Sequence, residues 1–308
     1  MSNPESLPGL ILKSQKDRRL KAGHLWIYSN EVDVERSPLK QFEAGQQVQV
    51  LSHQGKPVGI ATMSPQSLIC ARLVNRDISH PLNKSLLVHR IKQALALREA
   101  CFSGPFYRLV YGESDLLPGL VVDRFGDYLV VQLSTAGMEA VKGDVVDALN
   151  QCLSPKGVLL RNDHGARSME GLPEYVELAS GEVPDEVELI ENGTRFMAPL
   201  GSGQKTGWFY DHRMNRAQLQ QYVAGKRVLD VFSYIGGWGV QAAVAGASEV
   251  VCVDASAAAL DQVNKNAALN DVADKVSTQH GKALVIMKAM LEAGEKFDVV
   301  ILDPPAFI

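Results

Sequence analysis

Three carboxylates, each at the end of an apolar run, stand out as groups that could do chemistry together. Asp230 closes the run before the turn Ser233-Tyr234-Ile235-Gly236-Gly237-Trp238-Gly239, Asp254 closes residues 249–254, and Asp303 follows 297–302 and opens Asp303-Pro304-Pro305. A strand, a glycine-rich turn, a helix and a second strand make a βαβ unit, in which a ligand sits close to the backbone at the helix N-terminus, over the C-terminal edge of a parallel sheet. Gly237, Gly239 and Ala242 satisfy the loose dinucleotide pattern GxGxxA, which alone is weak evidence. Asp230 would face a pyrophosphate unfavourably but could accept a hydrogen bond from an ammonium group. Asp-Pro-Pro after a buried strand aims a carboxylate and backbone carbonyls over the sheet edge, because proline fixes φ and biases the preceding residue to extended. One strand-end acid is as readily a helix N-cap; three on successive strands point to a shared site.

Positioning these acids requires a C-terminal α/β region with strands starting near residues 228, 249, 275 and 297 and a helix over 240–247. The chain has 308 residues, 46% apolar and 21% charged, with a net charge of -4, which excludes a disordered chain and a uniformly basic nucleic-acid coat. The charge is uneven: residues 1–76 hold ten Lys or Arg against six Asp or Glu, and the remainder 21 against 29. Lys13, Lys16, Arg18, Arg19 and Lys21 precede Trp26-Ile27-Tyr28 in a stretch of short alternating runs and glycines, which predicts a small β-rich domain. A basic run alone is usually a solvated face. Basic and aromatic residues together on a compact barrel suit RNA, where phosphates and stacking dominate recognition.

Apolar residues at helical spacing predict an amphipathic helix over 82–100. Strands at 108–111, 120–123, 128–133 and 157–160, a helix at about 138–149 and a hairpin of 186–191 with 194–198 about Asn192-Gly193 complete a middle α+β unit. Within it, residues 112–119 form a polar loop without evident chemistry. The expected boundaries are 1–78, 79–198 and 199–308. Four scattered cysteines lack metal-ligand spacing, so no metal is expected and a reducing compartment fits. The first fifteen residues lack the features of a secretory leader and no run approaches 18 apolar residues, so neither secretion nor a membrane partner is expected and the location expected is cytoplasmic.

At these residues the chain resembles the class I S-adenosylmethionine-dependent methyltransferases. Residues 230–237 resemble motif I, Asp254 the ribose-binding acid of motif II, and Asp303-Pro304-Pro305-Ala306-Phe307 motif IV; the helix over 264–270 is similar to the one that follows motif II in RNA methyltransferases. The box from Gln204 to Arg216, with residues 21–31 and 112–124, resembles the bacterial 23S ribosomal RNA large-subunit methyltransferases. The resemblance covers nearly the whole chain and implies an α/β fold in three parts: a PUA-like β-barrel, a middle α+β domain and a Rossmann-like methyltransferase domain with an incomplete sheet. It implies S-adenosyl-L-methionine held by Asp230, Phe232, Ser233, Gly236, Gly237, Asp254, Ala255, Gly281, Lys282, Ala283 and Asp303. It also implies a target base positioned by Asp303, Pro304 and Pro305. RNA would be bound by Lys16, Arg18, Arg19, Lys21, Lys205, Arg213 and Arg216, although an internal salt bridge is an equal alternative for the two box arginines. The implied partner is 23S ribosomal RNA, and a homodimer is an open alternative for assembly.

The chain departs from that family in two places. Lys282 stands where an acid near the adenine is common. The family's best-known reaction, methylation of a cytosine ring carbon, needs a cysteine thiolate, and Cys70, Cys101, Cys152 and Cys252 all read as small buried hydrophobes. Four strands where seven are usual suggest a C-terminally truncated chain, with a strand edge at Leu302 left unpaired. Methylation of an exocyclic guanine amine, a non-catalytic RNA- or cofactor-binding remnant, and a nicotinamide-dependent oxidoreductase stay open beside the cytosine reading.

Overall fold

The computed structural model describes residues 7–201, 203–204 and 206–305. The chain divides into two compact units, Met1–Val183 and Pro184–Ile308.

The first unit holds two five-stranded sheets. In the N-terminal one, β1 (Gly9–Ile11), β2 (Trp26–Tyr28), β3 (Gln47–Leu51), β4 (Pro57–Met63) and β5 (Ile69–Asn75) pair in the order β1-β3-β4-β5-β2, with the short helix α1 (Arg18–Lys21) between β1 and β2. The sheet curls toward closure: Leu12 bridges Val32, the Lys13 amide donates to the Glu31 carbonyl and the Asp33 amide to that of Ile11. Its interior is apolar, with Leu10, Ile27, Val48, Ala61 and Leu73 all buried, so the alternation read from the sequence is that of a closed sheet with one face inward.

Next comes α2 (Lys84–Cys101), N-capped by Asn83, whose side chain accepts from the Leu86 amide. It covers a mixed sheet of β6 (Phe106–Tyr111), β7 (Leu120–Phe125), β8 (Tyr128–Leu133), β9 (Gly157–Asn162) and β10 (Tyr175–Gly181). The helix expected over 138–149 is instead two, α3 (Ala136–Ala140) and α4 (Lys142–Leu153), broken at Val141, and β10 was not anticipated because its burial alternates weakly at the sheet margin.

The second unit opens with the hairpin β11 (Glu186–Glu191) and β12 (Thr194–Pro199), which the sequence reading placed in the middle domain. Asn192 (φ 52°) and Gly193 (φ 81°) are both left-handed, as a two-residue turn of this twist requires. After α5 (Arg213–Leu219) come β13 (Arg227–Val231), α6 (Gly239–Val244), β14 (Glu249–Asp254), α7 (Ala257–Leu269), β15 (Val276–His280), α8 (Ala283–Glu292) and β16 (Val299–Leu302). The four strands are parallel in the order β15-β14-β13-β16. Leu229, Val231, Val251 and Val253 pack on the α8 side, while Val228, Asp230, Val250 and Cys252 have the opposite parity and face α6.

Candidate functional site

The register of the second unit decides which strand-end acids meet. Val231 pairs with Val253 on one side and Leu302 on the other, so Asp254, the last residue of β14, and Asp303, the first after β16, reach the same sheet edge. Asp230 pairs with Cys252 and lies one layer deeper. A cavity of about 530 Å³ opens over this edge, within the size range of small-molecule sites. Its walls include Phe232, Ser233, Tyr234, Gly237 and Trp238 of the glycine-rich turn, Asp254 and Ala255 after β14, and Asp303, Pro304 and Pro305 after β16. Gln204, Trp208, Phe209, His212 and Arg216 of the upstream box complete it.

Asp254 is fixed by two backbone donors: one carboxylate oxygen accepts from the Tyr234 amide at 2.9 Å and the other from the Ser256 amide at 2.8 Å. Each oxygen keeps a second lone pair for a ligand, so the carboxylate is pre-aimed to receive two hydroxyls. The turn that donates to it is tightly wound, with Phe232 (φ 66°), Tyr234 (φ 49°) and Gly236 (φ 84°) left-handed. Two non-glycine residues in that region within three positions are the kind of local strain that concentrates at binding sites. Gly237 lines the cavity, and a Cβ there would come within 3.2 Å of the Trp208 ring.

Asp230 does not line the cavity. One of its oxygens accepts from the amide of Gly239, the first residue of α6, at 2.8 Å, and the other is buried without a partner. Burial pushes its carboxyl up to about 7; the Gly239 bond opposes this, and the negative charges of Asp303 and Asp254 add to it. Stability follows with a definite sign. The unfolded carboxyl ionises near 4 while the folded one keeps its proton to about 7, so between these values the native state holds more protons and this group's contribution falls as pH rises. Asp230→Asn should therefore remove a component of stability loss between pH 4 and 7 in denaturant titrations; parallel curves for the two proteins would refute the assignment.

Asp303 accepts from the Trp238 indole N–H at 3.1 Å, and His212 Nε2 lies 3.6 Å from the same oxygen. The His212 and Trp238 rings pack at 5.6 Å. His212 was not singled out from the sequence. The available signal was that it is the only histidine of the box.

The remaining expected residues divide. Arg216 touches the cavity wall but offers no charge to phosphate: it is 3% exposed and its guanidinium lies between the rings of Trp208 (4.8 Å) and Trp238 (5.6 Å). It pairs with fully buried Glu191 at 2.6 Å, and Glu191 also accepts from Trp208 Nε1 and Gln241 Nε2, both at 3.0 Å. The internal salt bridge is thus what the fold builds, because the 192–193 turn carries Glu191 under the box. Arg213 is half-buried at the start of α5 and does not line the cavity. Gly236, with its positive φ packed against Val240, shapes the turn from outside the cavity lining. Gly281, Lys282 and Ala283 also lie outside the lining, although the Gly281 amide donates to the Asp254 carbonyl, so this loop adjoins the site. Lys16, Arg18, Arg19 and Lys21 are exposed in the first unit; Arg19 pairs with Glu31 and Lys21 with Asp17. Lys205, Ala306 and Phe307 lie outside the described residues.

The donor set fits S-adenosylmethionine. A pre-aimed carboxylate for a ribose, a wall without a side chain at Gly237, and the orphaned buried Ser233 Oγ at the turn are groups such a cofactor would use. Among the described residues no cluster of three metal-ligating side chains occurs, and no helix is long and apolar enough to cross a membrane.

The sequence profile of the S-adenosylmethionine-dependent methyltransferases matches residues 160–308, and that of a PUA-like domain matches residues 10–76. Ribosomal RNA large subunit methyltransferase I of Tolumonas auensis is 37% identical over 305 residues, covering 97% of this chain and 76% of that protein. The protein of the same name from Vibrio cholerae is 36% identical over 308 residues, 97% of this chain and 76% of its own. Among solved structures, a protein of Streptococcus mutans described as a SAM-dependent methyltransferase superposes with a TM-score of 0.83 at 22% identity, covering 97% of this chain and 77% of its own. A methyltransferase complexed with SAH superposes at 0.85 and 22% identity, covering 98% and 77%. At that identity both report the shared fold.

Proposed function

This chain belongs to the ribosomal RNA large subunit methyltransferase I family, a class of S-adenosylmethionine-dependent enzymes, and on that premise we propose that it methylates a base of 23S ribosomal RNA in the cytoplasm. The observation that carries the reading is the single cavity in which pre-aimed Asp254 and the Asp303-Pro304-Pro305 segment share one sheet edge. When bound, the cofactor supplies an electrophilic methyl group on a sulfonium centre. Asp254 would hold its ribose, Gly237 and Ser233 would border its amino-acid end, and Phe232 and Ala255 would pack on it. Displacement at the methyl carbon needs the acceptor atom in line, so the protein's main contribution is positioning. The target base must be splayed from its stack to reach the cavity. Trp238 and His212 hold Asp303 where its free oxygen and the carbonyl of Pro304 can receive hydrogen bonds from that base.

For the atom methylated, the family resemblance favours a cytosine ring carbon, attacked after a cysteine thiolate adds to the neighbouring position. A second reading rests on a specific observation: no described cysteine lines the cavity, and burial pushes the thiols of Cys70 (to about 12) and Cys252 upward, away from thiolate character. Methylation of an exocyclic guanine amine needs no such nucleophile, only acceptors such as Asp303 for the departing proton. Incubating the protein with methyl-labelled cofactor and a 23S transcript, then digesting the RNA to nucleosides, separates the two. The expected result is label in one nucleoside, 5-methylcytidine for the first reading and an N-methylguanosine for the second. No label in RNA would overturn the proposed function.

A further inference from the structure

We propose that the first unit carries a separate pocket for one unpaired RNA base, walled by Gly23, His24, Leu25 and Trp26 on one side and by Glu113 and Leu116 on the other. This inference rests on the RNA reading above and adds a place where the substrate is gripped.

The pocket has a volume of about 300 Å³, at the small end for ligand sites and suited to one flat ring system. Trp26 forms its aromatic wall. The ring is 38% exposed, unusual for the largest apolar side chain, yet it is not loose, because its indole N–H donates to Glu113 Oε1 at 2.7 Å. An exposed, orientationally fixed indole is a stacking platform whose ordering cost is already met by the fold. Gly23 (φ 113°) has open space where a Cβ would stand, so its backbone can be approached closely.

The opposite wall is the polar loop to which the sequence assigned no chemistry, and it is held more firmly than an idle connection needs. Arg98 grips Asp115 through two hydrogen bonds of 2.6 and 2.7 Å, and Asp115 accepts from the Tyr111 amide. Arg90, buried on α2, donates to the carbonyl of Leu116, which is left-handed (φ 58°) and 41% exposed. A buried arginine thus fixes the backbone of the pocket wall at a left-handed residue, the kind of local strain that concentrates at binding sites. Next to the pocket, Arg108 lies over the exposed ring of Tyr111 at 5.4 Å. On the segment just before Gly23, Lys16 and Arg18 are exposed and are the cations offered to the phosphates of a strand whose base sits on Trp26, while Arg19 and Lys21 are paired with Glu31 and Asp17. Stacking on an aromatic ring bordered by basic side chains is how single-stranded RNA is held without a fixed sequence.

The test uses the full chain, a 23S transcript and filter binding at several salt concentrations. Trp26→Ala should weaken binding roughly ten-fold or more, the loss of one base–aromatic stack, while leaving the salt dependence unchanged because no phosphate contact is removed. Trp26→Phe should restore most of the affinity, and Lys16→Gln with Arg18→Gln should flatten the salt dependence instead. Far-ultraviolet circular dichroism and the urea-unfolding transition of the Trp26 variants, expected at the wild-type values, show that the first unit is folded. Wild-type affinity in Trp26→Ala, or a loss that Trp26→Phe shares in full, overturns the pocket. A wild-type protein that does not bind the transcript at all overturns the RNA reading itself.

Discussion

Replacing Asp254 with alanine is expected to raise the dissociation constant for S-adenosylmethionine by about a hundred-fold or more. A carboxylate accepting from two hydroxyls makes two charge-assisted bonds, each worth about 1.5–3 kcal/mol, and every 1.4 kcal/mol is a factor of ten. The substitution also frees the Tyr234 and Ser256 amides, so the turn beside Gly237 and the entry to α7 lose the group that ties them together. Asp254→Asn keeps one oxygen acceptor and should fall between alanine and wild type. Isothermal titration measures both, and a change of less than about three-fold in a folded Asp254→Ala protein would refute the ribose assignment. The deeper carboxylate gives a contrast: Asp230→Asn should alter the pH dependence of stability far more than the affinity, since Asp230 faces the first turn of α6 rather than the cavity.

The largest effect on stability is expected at Glu191. Glu191→Ala leaves the Arg216 guanidinium buried between two indole rings with no counter-charge, and deprives Trp208 and Gln241 of their acceptor. Breaking a buried pair from one side costs about 3–5 kcal/mol, a large share of the stability of an ordinary domain. The midpoint of urea unfolding reports the loss directly. Replacing both partners, as in Glu191→Leu with Arg216→Met, should recover much of it, because no charge is then stranded. If Glu191→Ala unfolds within experimental error of wild type, the pair is not buried as described. Because Arg216 and Trp208 also line the cavity, the single variant should bind the cofactor more weakly as well.

Different parts of this protein were legible to different degrees. The turn at 192–193 could be read because its two residues tolerate left-handed backbone whatever surrounds them, and both are left-handed in the fold. The helix after Asn83 and the strands ending at Leu133 and Asp254 follow from local periodicity and capping. The break at Val141 could not be read, since its flanks are continuous in helical pattern and only packing separates α3 from α4. Arg216 looked like a phosphate ligand because the sequence shows a basic box and not the glutamate, 25 residues earlier, that the hairpin brings beneath it.

The strand-end acids show most clearly where sequence stops and tertiary structure begins. By itself the sequence determined that Asp230, Asp254 and Asp303 lie at or beside strand ends, because apolar runs, glycines and prolines act within a few residues of each other. That two of them share a cavity while the third lies beneath it was decided by strand register: Val231 aligns with Val253 and Leu302, and the side-chain period of two makes a one-residue offset the difference between lining the site and capping a helix. The contacts of Trp26 with Glu113, 87 residues apart, and of His212 with Asp303 were likewise decided only by the fold, since no local rule couples residues at such separations.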